Sequence, residues 1–237
     1  MFFRSKTSEK STSSPKPAIS DETREALKEA EEARKAAESA RKEADSAKKE
    51  AEEAKEDAIK RAELARLDAQ IEALKASLPK KPYDAKECAE RYGAITVEND
   101  KVIWKDEAKW CAILAIPEDI AQGWINTATG KPTLRIYSNK DIHRPLILAL
   151  LLLKRRGLLS ELKTFDGCFI IRKQRGGDSV SYHSWAIAID LNAKENPLGK
   201  KPALSPEFVQ CWKEAGWTWG GDWTRPDGQH FQYVTRG

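Results

Sequence analysis

Between Pro17 and Pro79 the chain has no glycine, no proline and no aromatic residue. Such a stretch has nothing to turn on and no aromatic residue to bury, so it forms one uninterrupted helix or no structure at all. Its main constituents, Ala, Glu, Lys and Arg, all favour the helix. Ser20 or Asp21 suits the N-cap and Pro79 forbids continuation, which predicts a helix over residues 21–79. At about 1.5 Å per residue that helix is roughly 90 Å long. Alanine recurs from Ala26 to Ala58 in alternating steps of four and three, the spacing of a heptad seam. Larger apolar residues then take over at Leu64, Leu67, Ile71, Leu74 and Leu78, offset by one position, so the seam drifts between Ala58 and Leu64. An alanine seam buries little area. Two readings therefore stand: a solvated spacer, or a coiled coil nucleated by the leucine end that joins copies of the chain through residues 21–78. Neither carries chemistry.

Everything able to build a compact core lies further on, since all 13 glycines and all 8 tryptophans follow Tyr92. Residues 1–20 have the Ser-, Thr-, Lys- and Pro-rich composition of a disordered tail. Residues 80–237 are long enough for one domain. Residues 1–80 balance 18 bases against 18 acids, so the formal charge of +4 belongs to the remainder, where 23 bases face 19 acids. That mild, scattered excess favours approach to a polyanionic surface and falls short of the basic stripe of a nucleic-acid binder. Cys88, Cys111, Cys168 and Cys211 are far apart and are read as reduced, partly buried thiols. Met1 to Lys6 lacks the apolar segment of a secretory signal. The longest apolar run, Leu146–Leu153, is eight residues against the roughly 20 that span a bilayer. Synthesis in a cytoplasm, no nucleic-acid partner and no integral membrane segment are the expectations.

Val97–Trp104 and Leu134–Tyr137 read as short strands. Asp141 to Pro145 opens a strongly apolar helix that Gly157 closes. Phe169-Ile170-Ile171 reads as a buried strand ending at Arg172, Gly176-Gly177-Asp178 as a loop, and Ala186–Leu191 as the next strand. Ser205-Pro206-Glu207 begins a helix through Lys213, and Trp217–Trp219 with His230–Tyr233 completes the sheet. The predicted class is α+β: a small mixed or antiparallel sheet with flanking helices, preceded by a long coiled-coil-like helix.

Two of the three histidines, His183 and His230, each lie a short step from an aspartate, Asp190 or Asp227. Two imidazoles and one carboxylate form the donor set of a catalytic zinc whose fourth position is left for water. A second carboxylate three residues before His230 is placed to take that water's proton. Alternation along a strand puts Asp190 on one face with Ala188 and Ala186, and Trp185, Ile187, Ile189 and Leu191 on the other. His183 has the wrong parity, so it joins Asp190 only through a turn near Ser184. His230 and Gln232 share a face of the last strand while Phe231 enters the core. If the two strands are neighbours, His183, Asp190 and His230 converge on one ion. Asp227 itself sits in the strong turn sequence Arg225-Pro226-Asp227-Gly228.

Residues from about 134 to 234 resemble the zinc D-alanyl-D-alanine carboxypeptidases and L-alanyl-D-glutamate endopeptidases, the VanY-like peptidoglycan peptidases that include phage endolysins. The S-x-H-x-x-G-x-A-x-D motif of that family matches Ser181, His183, Ala188 and Asp190, and its D/E-x-x-H motif matches Asp227 and His230. Ile136–Lys140, Asp166–Phe169, Arg172–Gly177, Gly220–Trp223 and His230-Phe231-Gln232 read like the phage-type members. The resemblance implies one zinc ion per chain held by His183, Asp190 and His230, with Asp227 as the catalytic carboxylate. It also implies Arg172 as the arginine facing the substrate carbonyl or carboxylate, with Arg175 in reserve. Ser181 and Trp223 are further candidates for lining the substrate groove; Trp185 and Trp219 are candidates too, although most of the three tryptophans are expected in the core. Asp222 is read as fixing a loop or orienting a ligand histidine, and His143 as a surface residue. Ala186 stands where the family usually has glycine, and a negative φ is the expectation there.

The implied activity is zinc-dependent hydrolysis of an amide in the cell-wall stem peptide, by a lysin of phage type made in the host cytoplasm. The alternative is a wall-binding or structural phage protein that keeps the peptidase fold without catalysis.

Overall fold

The computed structural model describes residues 20–98, 101–174 and 179–235. The tail expected over residues 1–20 lies, Ser20 apart, outside the described residues. So do Arg175 and the Gly176-Gly177-Asp178 loop. The chain divides into two units at Lys60 and Arg61.

The first unit is the leading part of helix α1 (Asp21–Lys75). Asp21 and Glu22 in its first turn complement the positive end of the helix dipole. Pairs at i,i+4, such as Glu31–Lys35 and Glu38–Lys42, both at 2.9 Å, add about 0.3–0.5 kcal/mol each. Every described residue of this unit is exposed, the alanine seam included.

The second unit, residues 61–237, takes in the last turns of α1. Ile71 is buried, and Leu67, Leu74 and Leu78 pack against the same core. The leucine end, which one of the two readings had nucleating a coiled coil, therefore has an intramolecular partner; Leu64 alone of that series stays exposed. The helix stops at Lys75 and the chain turns before Pro79.

Asp84 caps α2 (Ala85–Tyr92) by accepting from the N–H groups of Lys86 and Glu87. Where a strand was expected over Val97–Trp104 there are two, β1 (Ile95–Glu98) and β2 (Lys101–Trp104), paired antiparallel. The short helix α3 (Glu107–Trp110) leads into β3 (Cys111–Ala115). Beyond α4 (Glu118–Ala121) come the short strands β4 (Ile125–Asn126) and β5 (Lys131–Pro132), and then β6 (Arg135–Asn139), which pairs with β3.

Helix α5 (His143–Arg155) is followed by a turn at Gly157, whose φ of 71° takes the chain away from the helix. His143, expected at the surface, is half-buried at its start, against the backbone of Ser138 and Ala112. β7 (Thr164–Gly167), β8 (Ala188–Leu191), α6 (Pro206–Glu214), β9 (Thr218–Trp219) and β10 (His230–Gln232) complete the unit. The main sheet is six-stranded, in the order β5-β4-β7-β8-β10-β9. It is antiparallel except where β4 runs beside β7. The class is α+β.

One face of this sheet meets the helices. Phe231 packs 4.8 Å from the Trp212 ring of α6, and Ile189, directly across from Phe231, is also fully buried. Each such side chain contributes about 1.5–3 kcal/mol through the water it excludes. The α5 residues Leu146, Leu148, Leu150 and Leu153 share that core, which all four buried, unpaired cysteines join. Among the described residues no helix is long and apolar enough to cross a membrane.

The segment Phe169-Ile170-Ile171 is not the buried strand expected from its composition. Ile170 is 53% exposed, and its N–H donates to the His183 carbonyl at 3.2 Å instead of joining a ladder. Ala186 overturns a second expectation. It adopts φ 54° and ψ 35°, left-handed, after the 3-10 turn Tyr182–Trp185, and it is fully buried. This reversal, not a continuous strand, corrects the parity of His183. Ala186→Gly should change stability by less than about 1 kcal/mol, because relief of left-handed strain is offset by loss of a buried methyl. Ala186→Val combines that strain with overpacking and should cost about 2 kcal/mol or more in thermal or denaturant unfolding.

Candidate metal centre

The sheet centre places the ligand candidates by register. His230 of β10 lies directly opposite Asp190 of β8, so their side chains leave the sheet on the same face. That face is opposite to Phe231 and Ile189. The 3-10 turn, closed by the Ala186 N–H donating to the His183 carbonyl at 3.0 Å, swings the second imidazole, the third candidate ligand, over the pair. His183 Nε2 is 3.2 Å from both Asp190 Oδ1 and His230 Nδ1, and His230 Nδ1 is 3.0 Å from Asp190 Oδ1. All three residues have little contact with solvent.

The outer nitrogens decide what the inner ones present. His183 Nδ1 lies 2.9 Å from the Cys168 carbonyl, an acceptor only, so Nδ1 carries the hydrogen and Nε2 turns a lone pair inward. His230 Nε2 lies 3.1 Å from Gln232 Oε1. With its hydrogen there, His230 Nδ1 also turns a lone pair inward. Three lone-pair atoms then face one another at 3.0–3.2 Å with no donor among them. That arrangement requires a positive species.

Ligand atoms of a tetrahedral zinc with bonds of ~2.0–2.1 Å stand about 3.3 Å apart, close to the triangle observed, and three protein ligands leave a fourth position open. The donor set, its spacing and the Cys168 carbonyl that holds the far nitrogen of His183 fit a zinc ion. Burial opposes charge on His230, yet the hydrogen bond and charge of Asp190, then Asp227, hold its pKa above the ordinary value. For Asp190, burial is likewise outweighed by His183 and His230, which keep the carboxyl well below the usual range.

A cavity of about 570 Å³ opens at this face, lined by Asp190, His230 and Gln232 together with Arg172, Ser181, Trp223, Arg225 and Asp227. Asp227 is fixed through its main chain. Its N–H donates to the Gly220 carbonyl at 2.9 Å, and its own carbonyl accepts from His230 N–H at 3.1 Å. Gly220 permits this approach, because a Cβ there would sit 2.7 Å from the Asp227 carbonyl oxygen. Asp227 Oδ1 accepts from Gln229 Nε2 at 3.1 Å, leaving Oδ2 without a hydrogen bond among the described residues.

Trp223 lies 5.4 Å, ring to ring, from His230 and forms part of the wall. Trp185, a groove candidate, is core, and Trp219 stacks on Phe231. Asp222 pairs with Lys213 at 2.6 Å, which makes it a loop anchor and not a partner of a ligand histidine. Ser181 is buried beside the turn, its N–H donating to the Arg172 carbonyl at 3.0 Å. Arg175 lies outside the described residues.

Ser184 is the residue whose place beside the candidate site was missed in the sequence. Fully buried, its hydroxyl accepts from the Arg172 N–H at 2.9 Å and donates to the Arg172 carbonyl, also at 2.9 Å. One side chain thus clamps both main-chain groups of Arg172 to the turn that carries His183. Its nearest sequence signal was its place beside the predicted turn. Ser184→Ala leaves a buried N–H unpaired and should lower stability by about 1–3 kcal/mol and raise KM, measured by thermal unfolding and steady-state kinetics.

No curated protein and no solved structure matches the chain. Residues 175–233, a quarter of the chain, carry His183, Asp190, Asp227 and His230, and they match the profile of the D-alanyl-D-alanine carboxypeptidase family, which supports a metallopeptidase in this segment.

Proposed function

We propose that this chain is a zinc-dependent peptidoglycan peptidase of phage-lysin type, hydrolysing an amide of the stem peptide at the His183–Asp190–His230 centre. The observation that carries the reading is the convergence of three inward-facing lone pairs in a cavity shared with Asp227 and Arg172. Bound zinc supplies Lewis acidity and an acidified water at neutral pH.

The chain's own residues supply the rest. Asp227 takes a proton from the water that adds to the amide carbon, then passes it to the nitrogen as the C–N bond breaks. Arg172, held at its backbone by Ser184, offers its guanidinium to the carbonyl or carboxylate of the peptide. Trp223 and Ser181 bound the space around it. Arg225 adds a second cation to the cavity wall, suited to the acidic side chains and free carboxylates of stem peptides.

The exposed alanine seam of the first unit serves as a spacer or joins copies of the chain. The protein is made in the host cytoplasm and acts on the wall from there or from a particle. Mass spectrometry of products released from purified peptidoglycan tests the activity. Free D-alanine marks carboxypeptidase cleavage, and peptide with a new N-terminal glutamate marks endopeptidase cleavage. Binding to the wall with neither product, at full zinc loading, would leave the non-catalytic alternative.

A further inference from the structure

Gln232 is almost fully buried on β10, two residues beyond His230 and on the same face, opposite the small Ala188. Its Oε1 lies 3.1 Å from His230 Nε2, while its own Nε2 is buried without a hydrogen-bond partner among the described residues. Rotating the amide by half a turn would put a donor on His230 Nε2 and force the ring hydrogen onto Nδ1, into the triangle formed with His183 and Asp190. A buried amide N–H group left unpaired opposes folding. In this orientation the amide oxygen faces the ring and suits the metal, and the amide nitrogen is the atom left unpaired.

Resting on the zinc reading above, we propose that Gln232 is a positioning residue that sets the tautomer of His230, holding Nδ1 free of hydrogen for the cation at the expense of an orphaned amide. The requirement at position 232 is an acceptor. An apolar side chain of similar length removes both the acceptor and the orphan, so metal affinity and stability of the metal-free protein move in opposite directions. A residue that merely filled space would move them together.

The test uses the full chain, stripped of metal and titrated with zinc ion against a chromophoric chelator, alongside denaturant unfolding of the metal-free form. Gln232→Met should bind zinc about 10- to 100-fold more weakly, the loss typical when a metal ligand's outer partner is removed, while its metal-free form unfolds at a denaturant midpoint no lower than wild type. Gln232→Glu restores an acceptor and should bind zinc within about threefold of wild type. Wild-type zinc affinity in Gln232→Met would overturn the proposal, as would an equal loss in Gln232→Glu. Failure of the wild-type chain itself to bind zinc would instead remove the reading on which it rests.

Discussion

Asp227→Asn should lower turnover on peptidoglycan by about 100- to 10,000-fold, the usual contribution of a positioned general base, while the protein still binds one zinc per chain. Both halves follow from where Asp227 sits. Its main chain is tied to Gly220 and His230, so the loop keeps its course when one carboxylate oxygen becomes an amide nitrogen. Asp227 lies outside the cluster of His183, Asp190 and His230, so the ligand set is untouched. Only the capacity to accept a proton is lost. Steady-state kinetics with metal analysis on the same preparation checks it. Wild-type turnover in the variant would move the base elsewhere in the cavity.

Loss of a ligand acts at an earlier stage. His183→Ala should weaken zinc binding on the order of 100- to 1,000-fold. Four-ligand structural sites bind with about 10–16 kcal/mol, so one ligand accounts for about 3 kcal/mol or more. The removed imidazole also held the Cys168 carbonyl at 2.9 Å, so the end of β7 loses a tether as well. Activity should disappear at ordinary zinc concentrations and return in part when zinc is raised, which separates loss of the ion from loss of the fold. Chelation of the wild-type protein should abolish activity, and added zinc should restore it. Undiminished activity after complete removal of metal would contradict both expectations.

The sheet-borne part of the centre was legible because strands alternate. Asp190 among Ala188, Ile189 and Leu191, and His230 beside Phe231, mark which side chains face a core and which a cavity. Their direct pairing across β8 and β10 is what that alternation demands once the strands are neighbours. What could not be read depends on contacts remote in sequence or on conformations the residue type disfavours. Ala186 adopts the left-handed region although alanine avoids it, because the 3-10 turn and the burial around it leave no other path. Phe169 to Ile171 has the composition of a buried strand, yet its main chain is held by His183 and Ser184, both more than ten residues away. The leucines ending α1 have heptad spacing suited equally to a second copy and to the core they meet in this chain. Gln232 gave a motif match but no role, since a tautomer lock is visible only once both nitrogens of His230 have partners.

In the proposed centre His183, Asp190 and His230 jointly hold one divalent cation. Zinc absorption spectroscopy of the loaded protein addresses this most directly, paired with the His183→Ala/His230→Ala double variant. The predicted result is one ion per chain with two imidazole nitrogens and only oxygen besides, at about 2.0–2.2 Å, and loss of that signal in the double variant. A sulfur neighbour at about 2.3 Å, or an unchanged spectrum once both imidazoles are gone, would contradict it.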